Sequence, residues 1–86
     1  MKLHVFDTFA YSPSGKIIHF DVLIPEMNES LAHKFALQWL ASIGEPNATI
    51  RPTGCTFCHT AANLPQFADE VTQQGFAIYK LEGCPA

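Results

Sequence analysis

Between Leu31 and Ile43 the apolar residues fall at Leu31, Ala32, Phe35, Ala36, Trp39, Leu40 and Ile43. That is the three-and-four spacing of one helix face. His33, Lys34, Gln38 and Ser42 occupy much of the opposite side. Both ends are marked: Asn28 is placed to cap the first turn, with Glu29 near the positive helix end. Gly44 stands where a helix-closing glycine belongs, and Pro46 follows it. So wide an apolar face has to be covered, and 86 residues have room for one core. The rest of the chain must supply the surface on which this helix packs.

Most of that remainder reads as strands. Leu3 to Tyr11 alternates apolar and other residues, Ser12-Pro13-Ser14-Gly15 is a turn, and Lys16 to Ile24 is a second strand ended by Pro25. Ala48 to Arg51 is expected to be a short third strand, stopped by Pro52 and Gly54, and Cys55 to Asn63 a loop. Leu64 to Gln74 predicts a second helix, with Pro65 in its first turn, Phe67, Ala68 and Val71 inside, and Gly75 closing it. Phe76 to Leu81 is the last strand. The expected fold is α+β, a single domain over residues 1–86 in the order β-β-α-β-α-β. It is a two-layer sandwich, a four-stranded sheet with both helices on one face. In it Phe35, Trp39 and Leu40 pack against Val5, Phe20 and Val22.

Strand alternation also sorts the hairpin by face. With an even-length loop, Leu3, Val5, Asp7 and Phe9 join Ile18, Phe20, Val22 and Ile24 on the core side. The other side then holds His4, Phe6 and Thr8 beside Ile17, His19, Asp21 and Leu23. A three-residue loop with Gly15 in a bulge would shift the register by one. The even loop gives the better hydrophobic match and is the one expected. It places Asp7 on the core face, where a buried carboxylate needs a cation or N–H partners. The bland role for Asp7 is a structural acceptor that ties down a loop; the alternative is a catalytic carboxylate. On the outer face His4, His19 and Asp21 stand near one another. That set suits general acid–base chemistry or a divalent metal, although a solvated polar face is the commoner outcome.

Charge narrows the choice of partner. The net charge is −3, and the basic residues Lys2, Lys16, Lys34, Arg51 and Lys80 are scattered. Nucleic-acid backbones are bound by clustered Lys and Arg, and anionic membranes likewise, so neither is expected. No apolar run approaches a membrane span. The start MKLHVFDTFAYS does not read as a signal peptide, because Asp7 interrupts any apolar core. A cytoplasmic setting is the expectation, where three cysteines stay reduced.

Cys55-Thr56-Phe57-Cys58-His59 is the one short motif with chemistry in it. As C-x-x-C-H it matches covalent haem attachment, which needs an export compartment and an axial ligand the chain does not offer. As C-x-x-C it is a dithiol redox centre, but the next helix begins well downstream, too far to lower a thiol pKa. As a metal site, Cys55, Cys58 and His59 suit zinc, with Cys84 as fourth ligand and His4 or His19 as substitutes. A second spaced pair is missing, and small thiols packing a loop remain the plain alternative.

Several segments have a familiar pattern. They are His4-Val5-Phe6-Asp7-Thr8, His19-Phe20-Asp21-Val22, Trp39-Leu40, Ser42-Ile43-Gly44, Phe57-Cys58-His59 and Ile78-Tyr79-Lys80-Leu81-Glu82-Gly83-Cys84. Their order resembles that of domain-of-unknown-function family twenty-twenty-four, a group of short bacterial proteins, over nearly the whole chain. The resemblance implies a compact α+β domain and no activity, cofactor or site residue. The residues themselves point to a small binding or accessory protein, with zinc as the candidate cofactor and a protein or small ligand as partner, alone or as a homodimer. The competing class is a small enzyme using His4, His19 and Asp21, or the Cys55–Cys58 dithiol.

Overall fold

The computed structural model describes residues 2–51, 53–62 and 64–84. Its elements are strands β1 (Lys2–Tyr11) and β2 (Ile17–Ile24), helix α1 (Glu29–Ser42), strand β3 (Cys55–Ala62), helix α2 (Pro65–Gln74) and strand β4 (Ala77–Glu82). The order is β-β-α-β-α-β, and the strands form one antiparallel sheet in the order β3-β1-β2-β4. The α+β class follows directly from the sequence pattern. Helix α1 forms as its caps predict: the Asn28 side chain accepts from Leu31 N–H at 3.0 Å, and Gly44 takes φ +84° past the last turn. Helix α2 starts at Pro65 and ends at Gly75, which is left-handed.

The placement of the helices differs from expectation. They cover opposite faces of the sheet. Under α1, Ala32, Ala36 and Leu40 pack with Phe6, Ala10, Ile18, Phe20, Val22 and Ile24. Val71 of α2, with Phe67 beside it, packs with Leu3, Val5, Leu23 and Ala77. The physical reason is that β1 and β2 are apolar on both sides, so a two-layer sandwich would leave one apolar face in water. Each helix also carries the chain from one strand to another across the sheet, α1 from β2 to the β3 edge and α2 from β3 to the far edge. Trp39 packs on Phe20 with ring centres 4.6 Å apart and Phe35 on Phe76 at 4.6 Å, while Val5 belongs to the α2 side.

The hairpin takes the odd loop. Tyr11 pairs with Ile17, Phe9 with His19, Asp7 with Asp21 and Val5 with Leu23. Ser12 N–H donates to Lys16 O at 2.9 Å, so Pro13, Ser14 and Gly15 form a three-residue loop, with Gly15 at φ +89°. That is the turn a left-handed glycine favours. Because both faces are apolar, hydrophobic pattern alone does not choose the register, and the turn does.

The third strand is Cys55–Ala62, not Ala48 to Arg51. The earlier segment contributes one bridge, Thr49 to Tyr11. Pro52 and Asn63 lie outside the described residues. β3 is an edge strand, exposed from Thr56 to Thr60, so it lacks the alternation by which a half-buried strand is recognised. It carries an irregularity: Phe57 pairs with Phe6 and His59 with Val5, which makes Cys58 the extra residue of a bulge.

Candidate functional site

Facing the α2 side of the two central strands, Asp7 and Asp21 are direct cross-strand partners and His19 is paired with Phe9. Two residues along the ladder and across it, His19 Nε2 meets Asp7 Oδ1 at 2.6 Å. Phe9 stacks flat on the His19 ring, 4.0 Å between centres and 8° between planes. Stacking and hydrogen bond together fix the imidazole. The His19 and Asp7 side chains remain 23% and 34% exposed, so the group can be reached from solvent.

Two carboxylates directly opposite each other repel. The cost of bringing them together shows at Asp21. The Asp21 carboxyl is raised from 3.8 to about 6, first by burial, then by a hydrogen bond to Asp7 and by its charge; the His19 and His59 charges pull the other way. Between Asp21 and α2 opens a cleft of about 180 Å³, lined by Val5, Leu23 and Phe67 together with His59, Tyr79 and Asp21 itself. Its walls are mainly apolar. Among the described residues, Asp7, His19 and Asp21 are the one group of potential metal ligands whose donor atoms all lie within 4.8 Å of one another.

The structure separates the residues that the even loop would have joined. His4 is on the α1 side and meets Thr60 Oγ1 at 2.8 Å, away from His19 and Asp21. Asp7 takes its place in the cluster. The deciding signal was Gly15 in the turn, weighed in the sequence as the alternative register, whose left-handed conformation brings Asp7 opposite Asp21.

The four residues of the expected zinc site are likewise not gathered. Cys55 is buried under α1 and accepts from Thr8 Oγ1 at 3.4 Å, and burial pushes its thiol up. Cys58 is exposed, with Sγ 3.3 Å from His59 Nδ1. Cys84 follows the opposite edge strand and donates to His19 O at 3.4 Å. The cause is secondary structure. A zinc knuckle needs its C-x-x-C in a tight turn that brings the sulfurs to within roughly 4 Å, whereas a strand spreads positions i and i+3 over about 10 Å. All three cysteines are free thiols.

Comparison with known proteins agrees with this fold. Residues 1–81 match the model of a family described as a domain of unknown function, DUF2024. The chain is similar to protein NE1680 from Nitrosomonas europaea, solved by NMR: 40% identity, 99% of this chain and 100% of that one covered, TM-score 0.87. No curated protein matches the sequence. None of the described helices is long and apolar enough to cross a membrane.

Proposed function

We propose that this chain, which belongs to the DUF2024 family, is a small ligand-binding protein whose working centre is a divalent cation held by Asp7, His19 and Asp21. The observation that carries this reading is the convergence of one imidazole and two carboxylates, with donor atoms within 4.8 Å, at the mouth of a cleft. The two carboxylates oppose each other, and the only ion pair they make among the described residues is with His19. A cation between them would turn this repulsion into attraction. One nitrogen and two carboxylate ligands suit Zn²⁺ or Mn²⁺ rather than thiolate-seeking ions. Three protein ligands would leave an open position towards the cleft, as catalytic zinc sites do. A small ligand in the cleft would complete the coordination. A cytoplasmic setting goes with this reading, since a reducing compartment keeps the three free thiols as they are.

The test is calorimetric titration of tag-free, chelator-treated protein with Zn²⁺ and with Mn²⁺. One equivalent should bind to the wild type, and His19→Ala and Asp7→Asn should each weaken binding by at least about tenfold, the usual cost of losing one ligand or its orienting partner. Binding of neither ion to the wild type would sink the proposal. A second reading is supported by the 2.6 Å His19–Asp7 bond: a metal-free acid–base pair, with Asp7 orienting His19 as general base and Asp21 as proton donor. It predicts a correctly folded protein indifferent to both ions.

A further inference from the structure

The sheet register sets the Asp7–His19–Asp21 centre and the cleft on adjacent rows of one face. Asp7 and Asp21 are cross-strand partners, and Tyr79 pairs with Asp21 from the next strand. Two positions along, Val5 pairs with Leu23 on one side and with His59 on the other. Rows two residues apart on a strand lie about 7 Å from each other. Asp21 and Tyr79 from the first row, and Val5, Leu23 and His59 from the second, all line the cleft. Phe67 borders it from α2, and its ring centre is 6.0 Å from that of Tyr79. The cleft is half-open, and its volume is about 180 Å³. That is below the roughly 300–1,000 Å³ of sites for drug-sized ligands and close to the ~150 Å³ of a cavity that admits benzene. One ring fits; two do not.

We propose that the ligand of this centre is a small monocarboxylate carrying one aromatic ring, with the ring in the cleft and the carboxylate completing the coordination of a bound Zn²⁺. The inference rests on the cation reading and names the ligand class of that same site. Charge selects the head group. The Asp7 and Asp21 carboxylates already balance a divalent cation, and no lysine or arginine lines the cleft. A phosphate dianion would add excess negative charge without the basic side chains that phosphate sites supply. A protonated amine would be repelled by the cation. A carboxylate adds a single negative charge, and its oxygen is an accepted zinc ligand. Tyr79, His59 and Gln66 line the cleft and are the side chains able to donate to its second oxygen. The row spacing selects the body. A ring attached directly to a carboxylate spans one row step, so the head lies by Asp21 while the ring lies over Val5 and Leu23. The Phe67 and Tyr79 rings then offer it aromatic contacts.

The probe is benzoate, titrated into tag-free, chelator-treated wild-type protein with and without one equivalent of Zn²⁺, and followed by the NMR methyl signals of Val5 and Leu23. On the zinc-loaded protein benzoate should shift both signals saturably, at least about tenfold more tightly than without zinc, a modest share of what a metal contributes to holding an oxygen. Benzylamine, with the same ring and the opposite charge, should leave the signals in place, and so should inorganic phosphate. Zinc uptake without a response to benzoate overturns this inference and leaves the cation centre standing. Benzoate binding that is equally tight without zinc overturns it too, as does comparable binding of benzylamine or phosphate. Failure of zinc to bind, read by calorimetry before benzoate is added, also overturns it, and failure of both Zn²⁺ and Mn²⁺ removes the centre as well.

Discussion

Asp7 and Asp21 face each other across the two central strands, an arrangement that ionised carboxylates resist and that raises the Asp21 carboxyl. The consequence for stability has a definite sign. The folded Asp21 carboxyl titrates near 6 against 3.8, so between these values the folded state binds a proton that the unfolded chain has lost. Stability from this group is present below about pH 4 and is lost as pH rises to about 6. The full shift corresponds to about 3 kcal/mol, which solvent screening of a half-open group brings down to about 1 kcal/mol. Asp21→Asn, permanently neutral, is therefore expected to match the wild type near pH 4 and to exceed it by about 1 kcal/mol at pH 7 without added metal, measured by urea unfolding across pH. A variant less stable than wild type at pH 7 would show that Asp21 is a structural anchor. A residue whose removal stabilises the fold while abolishing binding would mark a site kept for function. Gly83 is constrained by space as well as by backbone. At φ +71°, an added Cβ would lie 2.1 Å from the Ile17 carbonyl oxygen. Gly83→Ala should cost about 2–3 kcal/mol by the same unfolding assay, as left-handed backbone and a backbone clash act together.

At the scale of elements, α1 is the segment whose sequence and structure agree throughout. Its N-cap bond, Asn28 Oδ1 from Leu31 N–H, is exposed and local, so Asn28→Ala should cost about 1 kcal/mol with little change in urea m-value. A much larger loss would mean that Asn28 does more than cap. Strand β3 is the opposite case. Its residues Cys55, Cys58 and His59 suggest a metal-binding turn by spacing alone, yet pairing with β1 draws them into an extended edge. Once the chain is extended, the cysteine spacing no longer brings sulfurs together. What the element provides instead is a bulge, which exposes Cys58 and turns His59 towards the cleft.

At the scale of the molecule, a sheet apolar on both sides is closed by one helix on each. The α1 side is anchored by Trp39 on Phe20 and the α2 side by Phe67 beside Leu3, Val5 and Leu23. Trp39→Ala is expected to cost about 3 kcal/mol and Phe67→Ala, half-buried, about 2 kcal/mol. Because the sheet separates them, the double variant should lose the sum to within about 0.5 kcal/mol. Coupling above about 1 kcal/mol would place both side chains in one core and restore the two-layer arrangement. Helix α2 covers only part of its face. The uncovered part holds Phe9, His19, Asp7 and Asp21, so the incomplete outer layer is what makes a site on this sheet accessible.

The sequence by itself determined the local elements: the caps of α1, Pro65 and Gly75 around α2, the hairpin and the order of strands and helices, since each rests on interactions within a few residues. It also carried the family pattern. Tertiary structure decided the rest. Register depended on one left-handed glycine in a turn between two strands apolar on both faces, where hydrophobic alternation gives no preference. The position of β3 depended on pairing with β1, because an exposed edge strand has no buried side to record. The helices' separation depended on covering two apolar faces at once. The candidate centre follows from that register. Asp7 and Asp21 are fourteen positions apart in the chain, and only the choice of odd over even loop turns both carboxylates to the same side of the sheet as His19.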